Sequence, residues 1–310
     1  MIESGLRAAL LTASRRKSVR RVVEHAPLSR SVVKRFVAGD SVDAAVAATR
    51  DLVGSGLLVS LDHLGEDTTE LSHAKVTTSA YLTLLAELDH AGLAGDAEVS
   101  VKLSAVGQAL DHSLALDNAR EICEAAASAG TTVTLDMEDH TTTDSTLESL
   151  RELRADFPWV GAVVQSYLRR TEADCRDLAV AGSRVRLCKG AYKEPESVAY
   201  QRREDVDASY SRCLGLLLAG DGYPMVATHD PELITAAEAL IRETKRENDS
   251  YEFQLLYGIR PNEQQRLAHI GHRVRVYVPY GDEWYGYLMR RLAERPANVT
   301  FFLRALASRR

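Results

Sequence analysis

Two adjacent arginines, Arg290 and Arg291, stand among aromatic residues in the segment 277–294 (YVPYGDEWYGYLMRRLAE), where the chain concentrates its most unusual local chemistry. A pair of guanidinium groups offers planar forks of donors that match the two oxygens of a carboxylate. A short β-run over residues 274–278 meets Pro279 and Gly281, and a helix is expected to follow with Asp282 as its N-cap. On that helix Tyr287, Arg290 with Arg291, and Glu294 recur at i, i+3/i+4 and i+7, so they share one face. Such a stripe packs poorly on a sheet. It reads either as a solvated Arg–Glu face or as a carboxylate-binding surface.

Other reactive side chains lie inside β-rich runs. Lys102 is in one; Asp136 and Glu138 are in the next; Gln165, Ser166 and Tyr167 end a third. Arg186, Lys189 and Tyr192 are in a fourth, Thr228, His229 and Asp230 close a fifth, Glu252, Gln254 and Tyr257 are in a sixth, and Tyr277 is in the last. Unpaired charge in a core costs several kcal/mol, so these groups either satisfy one another or meet a ligand. By strand parity Arg186, Cys188, Gly190 and Tyr192 share a face, opposite Leu187 and Lys189. Gly190 has no Cβ, which leaves room for a flat ligand against the backbone. No His pair has metal-ligand spacing, and the neighbours Asp62-His63 and Asp139-His140 point to opposite faces, so no metal is expected.

The elements that must position these groups alternate. Residues 57–64, 98–107, 131–139, 160–168, 184–192, 223–230, 251–260 and 273–281 read as strands. Helical patterns separate them at 69–93, 113–129, 146–157, 172–181, 206–219, 231–246 and 262–270, and another follows the last strand. Eight βα units predict an α/β fold, a (β/α)8 TIM-type barrel with its chemistry at the C-terminal strand ends. A doubly wound open sheet is the alternative, but no GxGxxG follows the first strand. Residues 57–310 are thus expected to form the catalytic barrel and residues 1–56 a helical N-terminal segment.

The composition agrees with one such domain. The chain has 310 residues, 45% of them hydrophobic, and a net charge of −6 with both signs interspersed, which argues against a nucleic-acid surface. Cys123, Cys175, Cys188 and Cys213 show no CxxC, so neither a disulfide frame nor a zinc site is indicated, and a reducing, cytoplasmic setting is expected. No run is long and apolar enough for a membrane span. The basic stretch 1–36 reads as a solvated helix pair, with peripheral contact to anionic lipid on the inner face of the membrane as the alternative.

The blocks at 186–194 (RLCKGAYKE), 227–230 (ATHD), 252–258 (EFQLLYG), 277–281 (YVPYG) and 287–294 (YLMRRLAE) resemble the signature blocks of proline dehydrogenase, in its compact monofunctional bacterial form. The resemblance runs from about residue 37 to the C-terminus, with the blocks in order. It implies a distorted barrel whose last helix lies over the mouth, and a flavoprotein that oxidises L-proline to Δ1-pyrroline-5-carboxylate with FAD and passes the electrons to a quinone. Carried over by position, Lys102, Arg290 and Arg291 would grip the proline carboxylate, while Tyr277, Ala191 and Leu256 would shape the pocket. Asp136 would lie near both flavin and substrate, and Arg186 beside the flavin N5. Met137, Gln165, Lys189, Gly190, Ala191, Thr228 and His229 would contact FAD, with Glu294 and Tyr287 in support of the arginines. A separate pyrroline-5-carboxylate dehydrogenase would take the product onward.

A rival reading on the same barrel is a Schiff-base aldolase, with Lys102 or Lys189 as a nucleophile whose pKa neighbouring guanidinium groups lower. A catalytically silent binding barrel is a third.

Overall fold

The computed structural model describes residues 33–65 and 68–294, and side chains of the last helix as far as Met289. The basic N-terminal stretch up to residue 32 and the side chains of Arg290, Arg291 and Glu294 lie outside the described residues.

Eight strands alternate with helices: α1 (Val42–Gly54), β1 (Leu58–His63), α2 (Leu71–His90), β2 (Ala97–Val101), α3 (His112–Ala129), β3 (Val133–Leu135), α4 (Thr143–Asp156), β4 (Ala162–Gln165), α5 (Thr171–Leu178), β5 (Arg184–Cys188), α6 (Arg203–Ala219), β6 (Tyr223–Ala227), α7 (Pro231–Thr244), β7 (Glu252–Leu256), α8 (Pro261–His269), β8 (Val274–Tyr280) and α9 (Trp284–Glu294). The order β3-β2-β1-β8-β7-β6-β5-β4 is parallel throughout. The two edge strands are joined by a Thr134–Gly161 bridge, in which Leu135 N donates to Gly161 O at 2.9 Å and Gly161 N to Val133 O at 2.8 Å. A Cβ on Gly161 would lie 2.6 Å from Thr134 Oγ1, so glycine is what lets the barrel close there. This is the expected barrel, and the open-sheet alternative fails.

Local sequence accounts for the helices. On α2 the buried positions Ala74, Thr77, Thr78, Tyr81, Leu84, Leu85 and Leu88 recur at helical spacing and face the strands. Tyr81 then bolts the helix to the barrel: its hydroxyl donates to Ser100 O at 2.7 Å and accepts from His63 N at 3.2 Å. On α3 the Asp111 carboxylate caps the Leu114 N–H at 2.9 Å and Gly130, at φ 74°, ends the helix. Asp230 caps α7 ahead of Pro231.

The strands divide their faces by polarity. Val59, Leu61, Val99, Val101, Leu187, Phe253, Leu255, Val276 and Val278 join the helices in the main hydrophobic core. Their neighbours Ser60, Asp62, Glu98, Ser100, Thr134, Arg186, Glu252, Gln254 and Arg275 are buried too, and they are polar. Arg186 on β5 reaches Ser60 on β1 and Ser100 on β2, strands that are not its neighbours, so these groups meet across the lumen. Barrel interiors are more often filled by branched aliphatic layers. This one is filled with charge.

The strands are shorter than their β-like runs. β2 stops at Val101, and residues 102–110 coil back in turns, with Ala105 N donating to Lys102 O at 3.1 Å. Lys102, Asp136, Lys189 and Thr228 therefore sit just past the last residue of a strand instead of within it. The last helix starts at Trp284, so Asp282 falls before its cap position. Tyr285, Tyr287, Leu288 and Met289 of α9 form a separate apolar cluster with Phe36, Val37 and Leu64, joined by Ile259. Leu64 follows β1 and Ile259 follows β7, so α9 packs across C-terminal strand ends, as the resemblance implied.

Candidate active site

Five side chains from β1, β2, β3, β5 and β8 converge at the C-terminal end of the lumen. The Lys102 ammonium donates to both oxygens of Asp62, each at 2.7 Å, and lies 3.8 Å from Asp136 Oδ2. The Tyr277 hydroxyl, 3.4 Å from Lys102 Nζ, donates to Asp136 Oδ2 at 2.7 Å. The other Asp136 oxygen accepts from Arg186 Nη1 at 2.6 Å. One continuous chain of charge-assisted bonds thus links Asp62, Lys102, Tyr277, Asp136 and Arg186.

Arg186, only 3% exposed, is pinned on every edge. Nε donates to Gln254 Oε1, and Nη2 points at Ser60 Oγ at 3.2 Å, Ser100 Oγ at 3.0 Å and Glu98 Oε1 at 3.3 Å. Its guanidinium carbon stands 5.3 Å from the Tyr277 ring centroid, within cation–π range. Below it, Glu98 accepts from Arg184 Nη2 at 2.6 Å, and Glu252 from Arg275 Nε at 2.7 Å.

Electrostatics follow from this burial. Removal from water pushes the Asp62 carboxyl above its usual value, and the Lys102 charge only partly restores it. Burial acts the same way on Glu98, but there the guanidinium groups of Arg184, Arg275 and Arg186 outweigh it and hold the carboxyl well below the ordinary range. Desolvation, the Asp136 and Asp62 carboxylates push the Tyr277 hydroxyl far up, so it remains a proton donor at neutral pH.

Further out, at the rim, Lys189 Nζ pairs with Asp230 Oδ2 at 2.9 Å and with Asp207, and Arg203 Nη2 reaches the same Asp230 oxygen at 2.9 Å. His229 Nε2 accepts from Leu256 N at 2.9 Å, Thr228 Oγ1 accepts from Asp230 N at 3.1 Å, and Gln165 Nε2 donates to Glu138 O at 2.6 Å. Met137 is buried beside β3, while Ala191 is exposed on the loop after β5. Gly190 adopts φ 110°, and a Cβ on it would lie 2.3 Å from a Tyr167 ring carbon. The close approach expected there is made by Tyr167, whose hydroxyl donates to Glu194 Oε1 at 3.2 Å; Glu194 also accepts from His140 N at 2.9 Å. Tyr287, expected on a polar stripe, packs at 6% exposure in the apolar cluster under α9.

Sequence reasoning missed Asp62, weighed there only as a metal ligand, and the supporting set Glu98, Ser60 and Ser100. Strand parity in the sequence would have found them: Glu98 and Ser100 share a face with Lys102 in the run 98–107, and Ser60 shares one with Asp62 in the run 57–64.

A closed parallel barrel with a buried ionic network at its C-terminal strand ends has the architecture of a barrel enzyme, whose chemistry sits at those ends. Residues 45–304 match the family model described as proline dehydrogenase, and this chain belongs to that family. It is 40% identical over 313 residues to the proline dehydrogenase of Deinococcus radiodurans, covering 99% of both chains. It is 39% identical over 274 residues to proline dehydrogenase 1 of Bacillus subtilis strain 168, covering 88% of this chain and 90% of that one. Among solved structures it resembles proline utilization A (PutA) from Bdellovibrio bacteriovorus, inactivated by N-propargylglycine, with a TM-score of 0.80 and 25% identity. That match covers 90% of this chain but 34% of the longer protein.

Proposed function

We propose that this chain oxidises L-proline to Δ1-pyrroline-5-carboxylate with FAD as its cofactor. The observation that carries the reading is the unbroken network Asp62–Lys102–Tyr277–Asp136–Arg186 at the strand ends of a chain of this family. When bound, FAD supplies a two-electron acceptor for a hydride from the ring carbon next to the proline nitrogen.

The residues present fit that cofactor. Arg186 is a buried cation with its orientation fixed on all edges, the kind of group that stabilises negative charge on a reduced ring. Met137, Gln165, Lys189, Gly190, Ala191, Thr228 and His229 ring the mouth on the ends of β3 to β6 and would hold the rest of the molecule.

Lys102, with Arg290 and Arg291 on α9, would grip the substrate carboxylate, and Tyr277, Ala191 and Leu256 would border its ring. Glu294 and Tyr287 would support the arginines. A carboxylate leaving water needs such charge-assisted partners. Asp136 orders the site, since its two oxygens hold Tyr277 and Arg186 in fixed relation. A quinone as final acceptor, a separate pyrroline-5-carboxylate dehydrogenase for the product, and a cytoplasmic location, with peripheral membrane contact as the alternative, complete the reading. Among the described residues no helix is long and apolar enough to cross a membrane.

The Schiff-base alternative finds no support. A nucleophilic lysine needs an amine open to a carbonyl substrate, whereas Lys102 is paired with Asp62 and Lys189 with Asp230.

The test is the visible absorbance spectrum of the purified protein before and after anaerobic L-proline. Flavin bands that bleach support the reading. A colourless protein that takes up no added FAD overturns it.

A further inference from the structure

We propose that Glu98 is the positioning residue for Arg186: a buried countercharge beneath the site that sets the orientation of this guanidinium and the field it exerts on the flavin. The inference rests on the reading above, in which Arg186 faces the cofactor.

Glu98 lies on β2 at 1% exposure, below the network that would meet substrate. Its Oε1 accepts from Ser60 Oγ at 3.0 Å, from Thr134 Oγ1 at 3.2 Å and from Arg186 Nη2 at 3.3 Å. Its Oε2 accepts from Arg184 Nη2 at 2.6 Å and from Thr132 Oγ1 at 3.0 Å, and Arg275 Nε stands 3.9 Å from Oε1. One carboxylate therefore serves three guanidinium groups. Arg184 and Arg186 are two residues apart on one strand face, so Glu98 ties the functional arginine to a structural one beneath it. Ser60 and Ser100, 2.9 Å apart, complete the cradle under Nη2.

Charge balance gives Glu98 leverage. The lumen holds the cations Lys102, Arg184, Arg186 and Arg275 against the anions Asp62, Glu98, Asp136 and Glu252. These charges sit where water screens little. Asp136 also bears on Arg186, but it lies in the layer that would touch ligand; Gln254, Ser60 and Ser100 are neutral. Glu98 is thus the countercharge that touches Arg186 from below the reacting layer. Neutralising it leaves an uncompensated positive charge in the lumen, which favours the reduced, more negative flavin.

The experiment is a proline-free spectroelectrochemical titration of the FAD-loaded protein and of Glu98→Gln, Glu98→Asp and Arg186→Gln. Glu98→Gln keeps the shape and removes the charge. It is expected to raise the reduced-to-oxidised flavin ratio at fixed potential about tenfold, a positive shift of about 30 mV for a two-electron couple. Glu98→Asp retracts the charge by one methylene and is expected to shift in the same direction by less. Arg186→Gln is expected to shift the midpoint negative. Wild-type potentials in the Glu98 variants beside a shifted Arg186→Gln overturn the inference and leave the reading of Arg186 intact. An unshifted Arg186→Gln overturns that reading, and the inference falls with it. If Glu98→Gln fails to fold, a wild-type potential in Glu98→Asp is sufficient to overturn the proposal.

Discussion

Both carboxylate oxygens of Asp62 lie 2.7 Å from the ammonium of Lys102, forty residues further along the chain. The lysine expected to receive the substrate is therefore held in place by a carboxylate before any substrate arrives. Asp62 is 1% exposed, so the pair is made at the expense of two desolvated charges and depends on their geometry.

Asp62→Asn keeps the shape and removes half of that pair. Losing one partner of a buried ion pair costs about 3–5 kcal/mol, with an isosteric amide near the lower end. Thermal unfolding should register the loss. Lys102 is then held less firmly, and KM for proline should rise about tenfold, or ~1.4 kcal/mol, with FAD content unchanged. Wild-type steady-state kinetics in a folded variant refute the anchoring role.

Arg290→Met and Arg291→Met should each raise KM for proline while FAD remains bound. Losing one partner of a buried charge-assisted contact to an anion costs about 2–5 kcal/mol. Steady-state kinetics alongside flavin content of the purified variants make the check, and normal kinetics in both sink the assignment.

Gly190→Ala should destabilise the barrel mouth. The new methyl meets the Tyr167 ring at 2.3 Å, and the backbone stays at φ 110°, where L side chains are strained. Overpacking of this kind costs about 1–3 kcal/mol. Combining it with Tyr167→Ala removes the clash but not the backbone strain, so Gly190→Ala should cost less in the Tyr167→Ala background than in the wild type. Strictly additive unfolding energies would show that the two residues do not touch.

Acid should loosen the barrel through its floor. Arginines hold the carboxyls of Glu98 and Glu252 below their ordinary value, so the unfolded chain takes up these protons first. Their stabilisation is full above the ordinary glutamate value of about 4.3 and is lost as the pH falls through the folded values. Asp62 has the opposite sign: its raised carboxyl binds a proton more readily in the folded state and opposes part of the loss. With two groups against one, the melting temperature should fall progressively as the pH drops below about 5. The decline should be shallower in Glu98→Gln, and an equal slope in the two proteins would remove Glu98 from the account.

The barrel was legible in the sequence because alternating β and helical periods are local and repeat eight times. Asp136, Arg186, Lys102 and Tyr277 were legible as chemistry because a charged or polar group in an apolar run must be satisfied by something. Strand parity, a local rule, also carries Glu98 with Ser100 and Lys102, and Arg184 with Arg186. No local rule says which charge meets which. That Asp62 takes Lys102 and that Tyr167 fills the space left by Gly190 depend on register between neighbouring strands, and that Glu98 serves three arginines depends on register across a closed lumen. Closure is a long-range event, settled where Gly161 lets β4 approach β3. Only then do groups such as Arg186 and Ser60, more than a hundred residues apart, come within hydrogen-bond distance, because burial forces each charge to find the partner that the fold puts nearest.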